Sequence, residues 1–246
     1  METDKIIFLG TSSAFGSDGR NLSSHLLIND GSFLLLDAGP AVITLLKKQG
    51  VKPQNISEIY VSHLHGDHFL GLVFFVLEFM DLEPPKAPVS LFLPKDGEKH
   101  LEKLLSLTFP SILSKPWQAY FEISEETEGE MGKYYFNTFP ADHQENARLL
   151  YLESEDYSLG YTGDTGPETP YLQDVLFSSD YLITECTTFE KVIPHHLTYK
   201  YLERQKKLIK SKQVFLVHTH EDMVENKQYI SPPFKLVFDG EQIALL

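Results

Sequence analysis

A run of six residues, 63–68, constrains this chain more than any other feature, because it reads His-Leu-His-Gly-Asp-His. Folding alone does not require three imidazoles and a carboxylate in so short a segment. Imidazole nitrogen and carboxylate oxygen are ligands for zinc and its neighbours in the transition series. Residues 56–62 read as a strand, so His63 and His65 point to the same side and can bind one ion. Gly66 permits a sharp reversal toward a second ion, and a helix is expected to begin there.

The hexapeptide resembles the HxHxDH motif of the metallo-β-lactamase superfamily. Members of that superfamily carry three further ligands in a fixed order, and matching sequences occur here at 139–143, 160–165 and 213–218. The resemblance implies a first ion on His63, His65 and His143, a second ion on Asp67, His68 and His218, and a bridge by Asp164. His220 follows the same predicted strand as His218 and stays an alternative to it, or a neighbour that faces the substrate.

Two further regions resemble one branch of the superfamily, which contains the tRNA 3′-processing endonuclease RNase Z and cyclic-nucleotide phosphodiesterases. The first combines residues 8–14 with 20–25, and the second contains Glu185 and His196. In that branch a glutamate orients a histidine that protonates the leaving oxygen, chemistry that a carboxylate-held imidazole suits near neutral pH. The resemblance implies these roles for Glu185 and His196, while Asp67 is expected to orient the nucleophile. From the residues alone, 195–196 also reads as a polar pair at a helix start.

Alternating strand-like and helix-like segments predict an α/β or α+β fold, and the resemblance implies a four-layer αββα sandwich. The proposed ligands spread from 63 to 218 without a linker between them, which predicts a single hydrolase domain over 1–246. Residues 69–80 are apolar almost all round and predict a buried helix. The acidic segment 125–130 reads as a solvated loop. A turn is predicted at 29–31, and a C-terminal hairpin is predicted to turn at Asp239 and Gly240.

The chain has a formal net charge of −14, from 21 basic and 35 acidic residues, which disfavours nonspecific binding to nucleic acid. Its one cysteine, Cys186, excludes an intrachain disulfide and reads as a small core side chain. Residues 1–5 lack the features of a secretory signal, and no apolar run approaches the ~20 residues of a membrane span. We therefore expect a cytoplasmic protein without a membrane partner, and a homodimer is compatible with the sequence.

These features favour a dinuclear metal hydrolase that directs a metal-bridging hydroxide at a small or single-stranded phosphodiester. Zinc is the expected metal, with manganese and iron as alternatives. Enzymes that grip tRNA generally carry a long Gly/Pro-rich arm between the ligands matching His143 and Asp164, and only twenty residues lie between them here. Nucleic acid is therefore a possible but less favoured substrate. The alternatives are RNase Z itself, a thioester or lactone hydrolase, and a metal-binding module without turnover.

Overall fold

Two seven-stranded sheets form the centre of the molecule. The computed structural model describes residues 4–29 and 31–245. The first sheet has the order β14-β1-β2-β3-β4-β5-β6, with strands β1 (Lys5–Gly10), β2 (Ser24–Asn29), β3 (Ser32–Leu36), β4 (Glu58–Tyr60), β5 (Val89–Phe92), β6 (Phe121–Ser124) and β14 (Glu241–Ala244). The second sheet has the order β13-β12-β11-β10-β9-β8-β7, with strands β7 (Glu128–Met131), β8 (Tyr134–Pro140), β9 (Arg148–Glu153), β10 (Ser158–Tyr161), β11 (Tyr181–Glu185), β12 (Gln213–Val217) and β13 (Phe234–Leu236).

Helices cover the outer face of each sheet, and three apolar clusters define the layers. The α-helices are α1 (Val42–Lys48), α2 (Gly66–Phe69), α3 (Gly71–Asp81), α4 (Gly97–Thr108), α5 (Pro170–Asp174), α6 (Tyr199–Gln205) and α7 (Glu221–Glu225). Phe8 and Leu36 of the first sheet share a buried cluster with Phe136 and Phe215 of the second. Two other clusters join the first sheet to α1 and α3, and the second sheet to α6. This arrangement confirms the predicted αββα sandwich, since buried apolar faces hold adjacent layers together.

The carboxyl ends of several strands meet at one edge of the sandwich. β3, β4, β5 and β6 are parallel neighbours in the first sheet, as are β10, β11 and β12 in the second. β8 runs in the same direction as β10, because each is antiparallel to β9. In parallel strands the carboxyl ends lie at the same edge, and open α/β sheets place ligands there. The segments that follow β4, β8, β10 and β12 are therefore brought together.

Two sequence predictions about the fold are wrong. The acidic segment 125–130 is exposed as expected, but Glu128–Met131 is an edge strand paired with β8. Charged side chains on an edge strand discourage pairing with other chains, so acidity does not exclude a strand. The predicted C-terminal hairpin does not form, because β13 pairs with β12 in the second sheet and β14 pairs with β1 in the first.

Other predictions agree with the structure in part or whole. Helix α3 is mainly buried, although Phe74 is 42% exposed. Cys186 is fully buried and its thiol is free. Of the turn predicted at 29–31, Asp30 lies outside the described residues. No helix in the described part of the chain is both long and apolar enough to cross a membrane.

Candidate metal centre

The segment that follows β4 places the side chains of the hexapeptide at the shared edge of the two sheets. His63 is buried and its ring lies 4.7 Å from the ring of His65, centroid to centroid. Helix α2 begins at Gly66, as predicted, so the backbone turns after His65. The turn brings the ring of His68 back to within 4.2 Å of the ring of His63. A six-residue segment thus presents side chains to two adjoining points in space.

Three imidazole nitrogens converge at the first of these points. Nε2 of His63 and Nε2 of His143 each lie 3.0 Å from Nδ1 of His65. Oδ2 of Asp164 lies 3.8 Å from Nε2 of both His63 and His143. Ligands of a tetrahedral ion with 2.0–2.1 Å bonds are separated by about 3.3 Å, so this donor set has the size that a zinc-like ion requires.

Two carboxylates and two imidazoles converge at the second point. Nε2 of His218 lies 3.3 Å from Oδ2 of Asp67 and 3.3 Å from Oδ2 of Asp164. Nε2 of His68 lies 3.3 Å from Oδ1 of Asp164 and 3.4 Å from Oδ2 of Asp67. Within each group, the ligand atoms lie within 4.8 Å of one another, and Asp164 belongs to both groups. The position of Asp164 in both groups fits the bridging role that the resemblance implies, which stays a prediction.

The donor set fits divalent metal ions. Nε2 of His68 and Oδ1 of Asp164 are buried atoms without a hydrogen-bond partner among the described residues. An orphaned buried polar atom is costly unless something satisfies it. The two atoms lie 3.3 Å apart at the second point, where a cation would satisfy both. The structure brings all seven predicted ligands together and leaves His220 outside both groups; the assignment of each ligand to an ion stays a prediction.

The outer nitrogens of His63, His68 and His143 have hydrogen-bond partners, which leaves the Nε2 atoms of these three rings to face the centre. Nδ1–H of His68 donates to Oδ2 of Asp37 at 2.5 Å, and Nδ1–H of His143 donates to the carbonyl oxygen of His195 at 3.2 Å. Nδ1 of His63 lies 3.0 Å from the hydroxyl of Ser62. Such outer partners set the tautomer and orientation of metal-binding histidines.

Asp37 is a functional residue that the sequence analysis did not identify. Its carboxylate is fully buried and accepts hydrogen bonds from the backbone N–H of Ser62 at 2.6 Å, from the Ser62 hydroxyl at 2.7 Å and from the Tyr161 hydroxyl at 2.5 Å, besides that of His68. It therefore ties the hexapeptide to β10 of the opposite sheet. The sequence signal that could have identified Asp37 is its position, since it is a charged residue directly after the apolar strand β3.

Asp142 was also missed. Its Oδ1 accepts a hydrogen bond from Nδ1 of His195 at 2.7 Å. His195 has the left-handed backbone conformation, with φ 61°, and its carbonyl oxygen accepts a hydrogen bond from Nδ1–H of His143. Non-glycine residues in this conformation are uncommon and are held by their surroundings. The Asp142 carboxylate therefore helps to hold the peptide group that orients His143.

Glu185 and His196, predicted as a catalytic pair, are in contact. Nδ1 of His196 donates to Oε1 of Glu185 at 2.9 Å, and the ring of His196 stacks on that of His218, 5.4 Å between centroids and 9° between planes. The hydroxyl of Thr187 donates to Oε2 of Glu185 at 2.7 Å and lies 3.1 Å from Nδ1 of His218. Glu185 thus supports both rings.

Burial and neighbouring charges shift the pKa values of these groups. Burial lowers the pKa of His196, but the hydrogen bond and charge of Glu185 outweigh it and raise that pKa to about 9. Burial raises the pKa of the Asp67 carboxyl, but hydrogen bonds from His218 and His68 outweigh it and hold that pKa well below its usual range. Burial lowers the pKa of His63 well below its usual value. A neutral imidazole and an ionised carboxylate are the forms that bind metal.

A family model and several curated relatives match this chain. The family model for the anti-Pycsar protein Apyc1 matches residues 4–237, nearly the whole chain. The chain belongs to this family. Ribonuclease Z of Nitrosopumilus maritimus strain SCM1 is 28% identical over 77% of the chain and 62% of its own length. The chain spans between 33% and 62% of the length of the first curated relatives that it matches.

Several solved structures have the same fold as this chain. A diphosphatase from the PhnP family superposes with a TM-score of 0.79 at 20% identity, over 99% of this chain and 98% of that chain. The short form of human tRNase Z superposes with a TM-score of 0.76 at 22% identity, over 98% of both chains. The predicted superfamily and its RNase Z and phosphodiesterase-like branch are therefore confirmed. The predicted class, a metal-dependent hydrolase, is also the class of these relatives.

Proposed function

We propose that this chain is a dinuclear metal-dependent phosphodiesterase that acts on a small or single-stranded phosphodiester, with a cyclic nucleotide as the favoured class. The observation that carries the proposal is the sharing of one buried carboxylate, Asp164, between two groups of metal-binding side chains. Metal ions held by these two groups would polarise a phosphoryl oxygen and lower the pKa of a bound water. Zinc is the proposed metal, and manganese or iron would suit the same donors.

Side chains of this chain would orient the nucleophile and protonate the leaving group. Attack of water on phosphorus forms a P–O bond and breaks the bond to the leaving oxygen, so one proton must leave the water and one must reach the departing alkoxide. The first proton would pass to solvent, and Asp67, which lines the cavity, would accept a hydrogen bond from the nucleophile and orient it. His196 lines the same cavity and would donate the second. Glu185, bonded to Nδ1 of His196, would orient that ring and stabilise its cationic form.

The size and charge of the molecule support a small substrate. The cavity over the centre has a volume of about 410 Å³, in the range typical of small-molecule sites. Residues 144–163 contain only the strands β9 and β10 with short connections, so no arm for tRNA lies between His143 and Asp164. Long RNA gains affinity mainly from many Lys and Arg contacts along its backbone, and this chain has 21 basic against 35 acidic residues.

RNase Z activity is the second candidate, because curated relatives carry that name. The test compares a 3′,5′-cyclic nucleotide, bis-p-nitrophenyl phosphate and a precursor tRNA in one buffer with one metal, alongside a thioester and a lactone. We expect turnover of the small phosphodiesters to exceed that of the other three substrates by orders of magnitude. Efficient, site-specific removal of a precursor tRNA trailer would establish the second candidate instead.

Two other results would reject a phosphodiesterase. Preferential turnover of the thioester or lactone would mean that the centre attacks carbonyl carbon. Absence of turnover on every substrate, in protein whose metal content has been measured, would mean a binding module without catalysis.

A further inference from the structure

Phe15 has the most exposed large apolar side chain of the described residues, with 81% of its surface open. It lies in the loop that joins β1 to β2, and it lines the same cavity as Asp67, Asp164 and His196. Its ring contacts the ring of His220 edge to face, with 5.5 Å between centroids and 74° between planes. An exposed phenylalanine on one wall of the cavity that holds the metal-binding side chains is available to an apolar part of a ligand.

Hydrogen bonds stabilise the loop that carries Phe15 and join it to the end of β12, beside the candidate metal centre. The backbone N–H of Ser17 donates to the hydroxyl of Ser12 at 2.7 Å. The buried guanidinium of Arg20 donates to the hydroxyl of Thr219 at 2.6 Å and to the Thr219 carbonyl oxygen at 3.0 Å. Thr219 lies between His218 and His220, so the loop and the end of β12 are held together. These hydrogen bonds hold the loop in place, so the ring of Phe15 is exposed to solvent on a fixed backbone.

We propose that Phe15 forms a stacking surface for the nucleobase of the substrate, next to the site of phosphodiester cleavage; the inference rests on the proposed function. A base has a flat π face, and stacking on an aromatic ring needs no hydrogen-bond partner. Because the ring is open and its loop is fixed, little conformational freedom is lost when a base binds. The surface selects nucleotides over phosphodiesters that lack a base, and it accepts purines and pyrimidines alike.

The test uses the metal-loaded enzyme and two substrates that differ only in the base. One is a 3′,5′-cyclic nucleotide and the other is methyl riboside 3′,5′-cyclic phosphate. Phe15→Ala should raise KM for the nucleotide about tenfold or more and leave kcat within twofold. The same change should leave the kinetics of the baseless substrate unaltered. Phe15→Tyr keeps the ring and should retain the KM of the wild type for the nucleotide.

Phe74→Ala is the matched control, since Phe74 is also exposed but lies on α3 and lines a different cavity with Pro40 and Leu82. It should change neither substrate's kinetics. If Phe15→Ala slows both substrates equally, or affects neither, the stacking surface does not exist although the phosphodiesterase does. A shift of oligomeric state in Phe15→Ala, seen by light scattering, would assign the ring to contact with a second copy instead. If the wild type cleaves neither substrate, the proposed function fails and the stacking surface fails with it.

Discussion

His218 occupies a backbone conformation that few non-glycine residues adopt, with φ 54°. Such a conformation costs roughly 1–3 kcal/mol and persists only where neighbouring groups hold it. Here it directs the ring back toward Asp67 and Asp164 at the end of β12, while Nδ1 lies 3.1 Å from the Thr187 hydroxyl. His220, two residues later, extends instead to the cavity wall beside Phe15.

The first prediction separates these two histidines. Reconstituted wild-type protein should bind about two transition-metal ions per chain, measured by elemental analysis. His218→Ala should lower that number toward one, because it removes a nitrogen that faces both carboxylates. His220→Ala should leave the number near two. The opposite order would show that His220 is the ligand, and a wild-type plateau at one ion would contradict the dinuclear centre.

The second prediction concerns His196 as a proton donor. His196→Ala should retain the metal content and slow substrates with alkoxide leaving groups by 10²-fold or more, in the range typical of general acid catalysis. Cleavage of bis-p-nitrophenyl phosphate should fall much less, because p-nitrophenolate departs without a proton. Glu185→Gln should show a weaker form of the same pattern, since it removes the charge that orients His196. Equal losses on both kinds of substrate would exclude the role.

The third prediction concerns His25, whose ring is fully buried between the rings of Phe8 and Tyr161 and has no hydrogen-bond partner in the described part of the chain. Burial, with the nearby His68 and His218, lowers the pKa of His25 from 6.5 to about 3. The neutral form is therefore the folded form. Below pH 6.5 the unfolded chain takes up a proton that the folded chain refuses, so stability falls as the pH falls toward 3.

Between pH 8 and pH 5 this effect should remove about 2 kcal/mol from the free energy of unfolding. In His25→Leu, residue 25 cannot titrate. The free energy of unfolding of this variant should therefore fall by about 2 kcal/mol less than that of the wild type between pH 8 and pH 5. Urea unfolding at both pH values measures the difference. The ligand histidines titrate in both proteins, so their contribution cancels in the comparison. Parallel losses in the two proteins would show that His25 takes up a proton while folded.

At the scale of elements, the connection from β13 to β14 supports the loop that carries Phe15. Oδ1 of Asp239 accepts hydrogen bonds from the backbone N–H and the hydroxyl of Thr11, both at 2.9 Å. Its Oδ2 accepts from the backbone N–H of Asn21 at 2.6 Å and from the Asn21 side chain at 2.9 Å. One carboxylate thus closes the base of the loop and directs the chain from the second sheet to the first.

The fourth prediction is that Asp239→Ala destabilises the protein by about 3 kcal/mol, because four hydrogen bonds to a charged acceptor are lost together. It should also raise KM for a cyclic nucleotide, since Phe15 loses its support. Chemical denaturation and steady-state kinetics measure the two effects. Asp174→Ala, at an exposed carboxylate on α5, is the control and should change neither. Unchanged stability in Asp239→Ala would mean that β14 pairing alone closes the loop.

The connection from β13 to β14 illustrates which features of the fold can be predicted from the sequence and which cannot. Strand β4, helix α2 and the two-sided hexapeptide follow from residues close together in the chain, so alternation and glycine placement predict them. The hairpin prediction failed because the partners of Asp239 are more than two hundred residues away. Asp37 escaped notice for a similar reason, since Tyr161 and His68 lie far from it in the chain. Local pattern carries no signal for such contacts.

At the scale of the whole molecule, the candidate centre depends on both sheets. The hexapeptide follows β4 of the first sheet, whereas His143, Asp164 and His218 follow strands of the second. Separation of the two halves would therefore dismantle the centre. A single domain, a homodimer and a cytoplasmic location stay predictions from the sequence.

The fifth prediction follows from the predicted single domain, and two reporter side chains test it. Trp117, the one tryptophan, is buried in the cluster outside the first sheet, and Cys186, the one thiol, is buried in the cluster outside the second. Tryptophan fluorescence and thiol labelling along a urea gradient should give the same midpoint, because one cooperative unit exposes both groups together. Labelling of Cys186 at clearly lower urea than the fluorescence change would show that the second half unfolds independently.

The pairing of β14 with β1 also has a consequence for synthesis on the ribosome. β1 emerges well before β14, so one of its two edges has no partner until residues 241–244 have been made. At 5–20 residues per second that interval is about 10–50 seconds. During it, an apolar strand containing Ile6 and Ile7 offers an open edge to other chains. Newly made protein is thus exposed to aggregation through this edge until β14 pairs with β1.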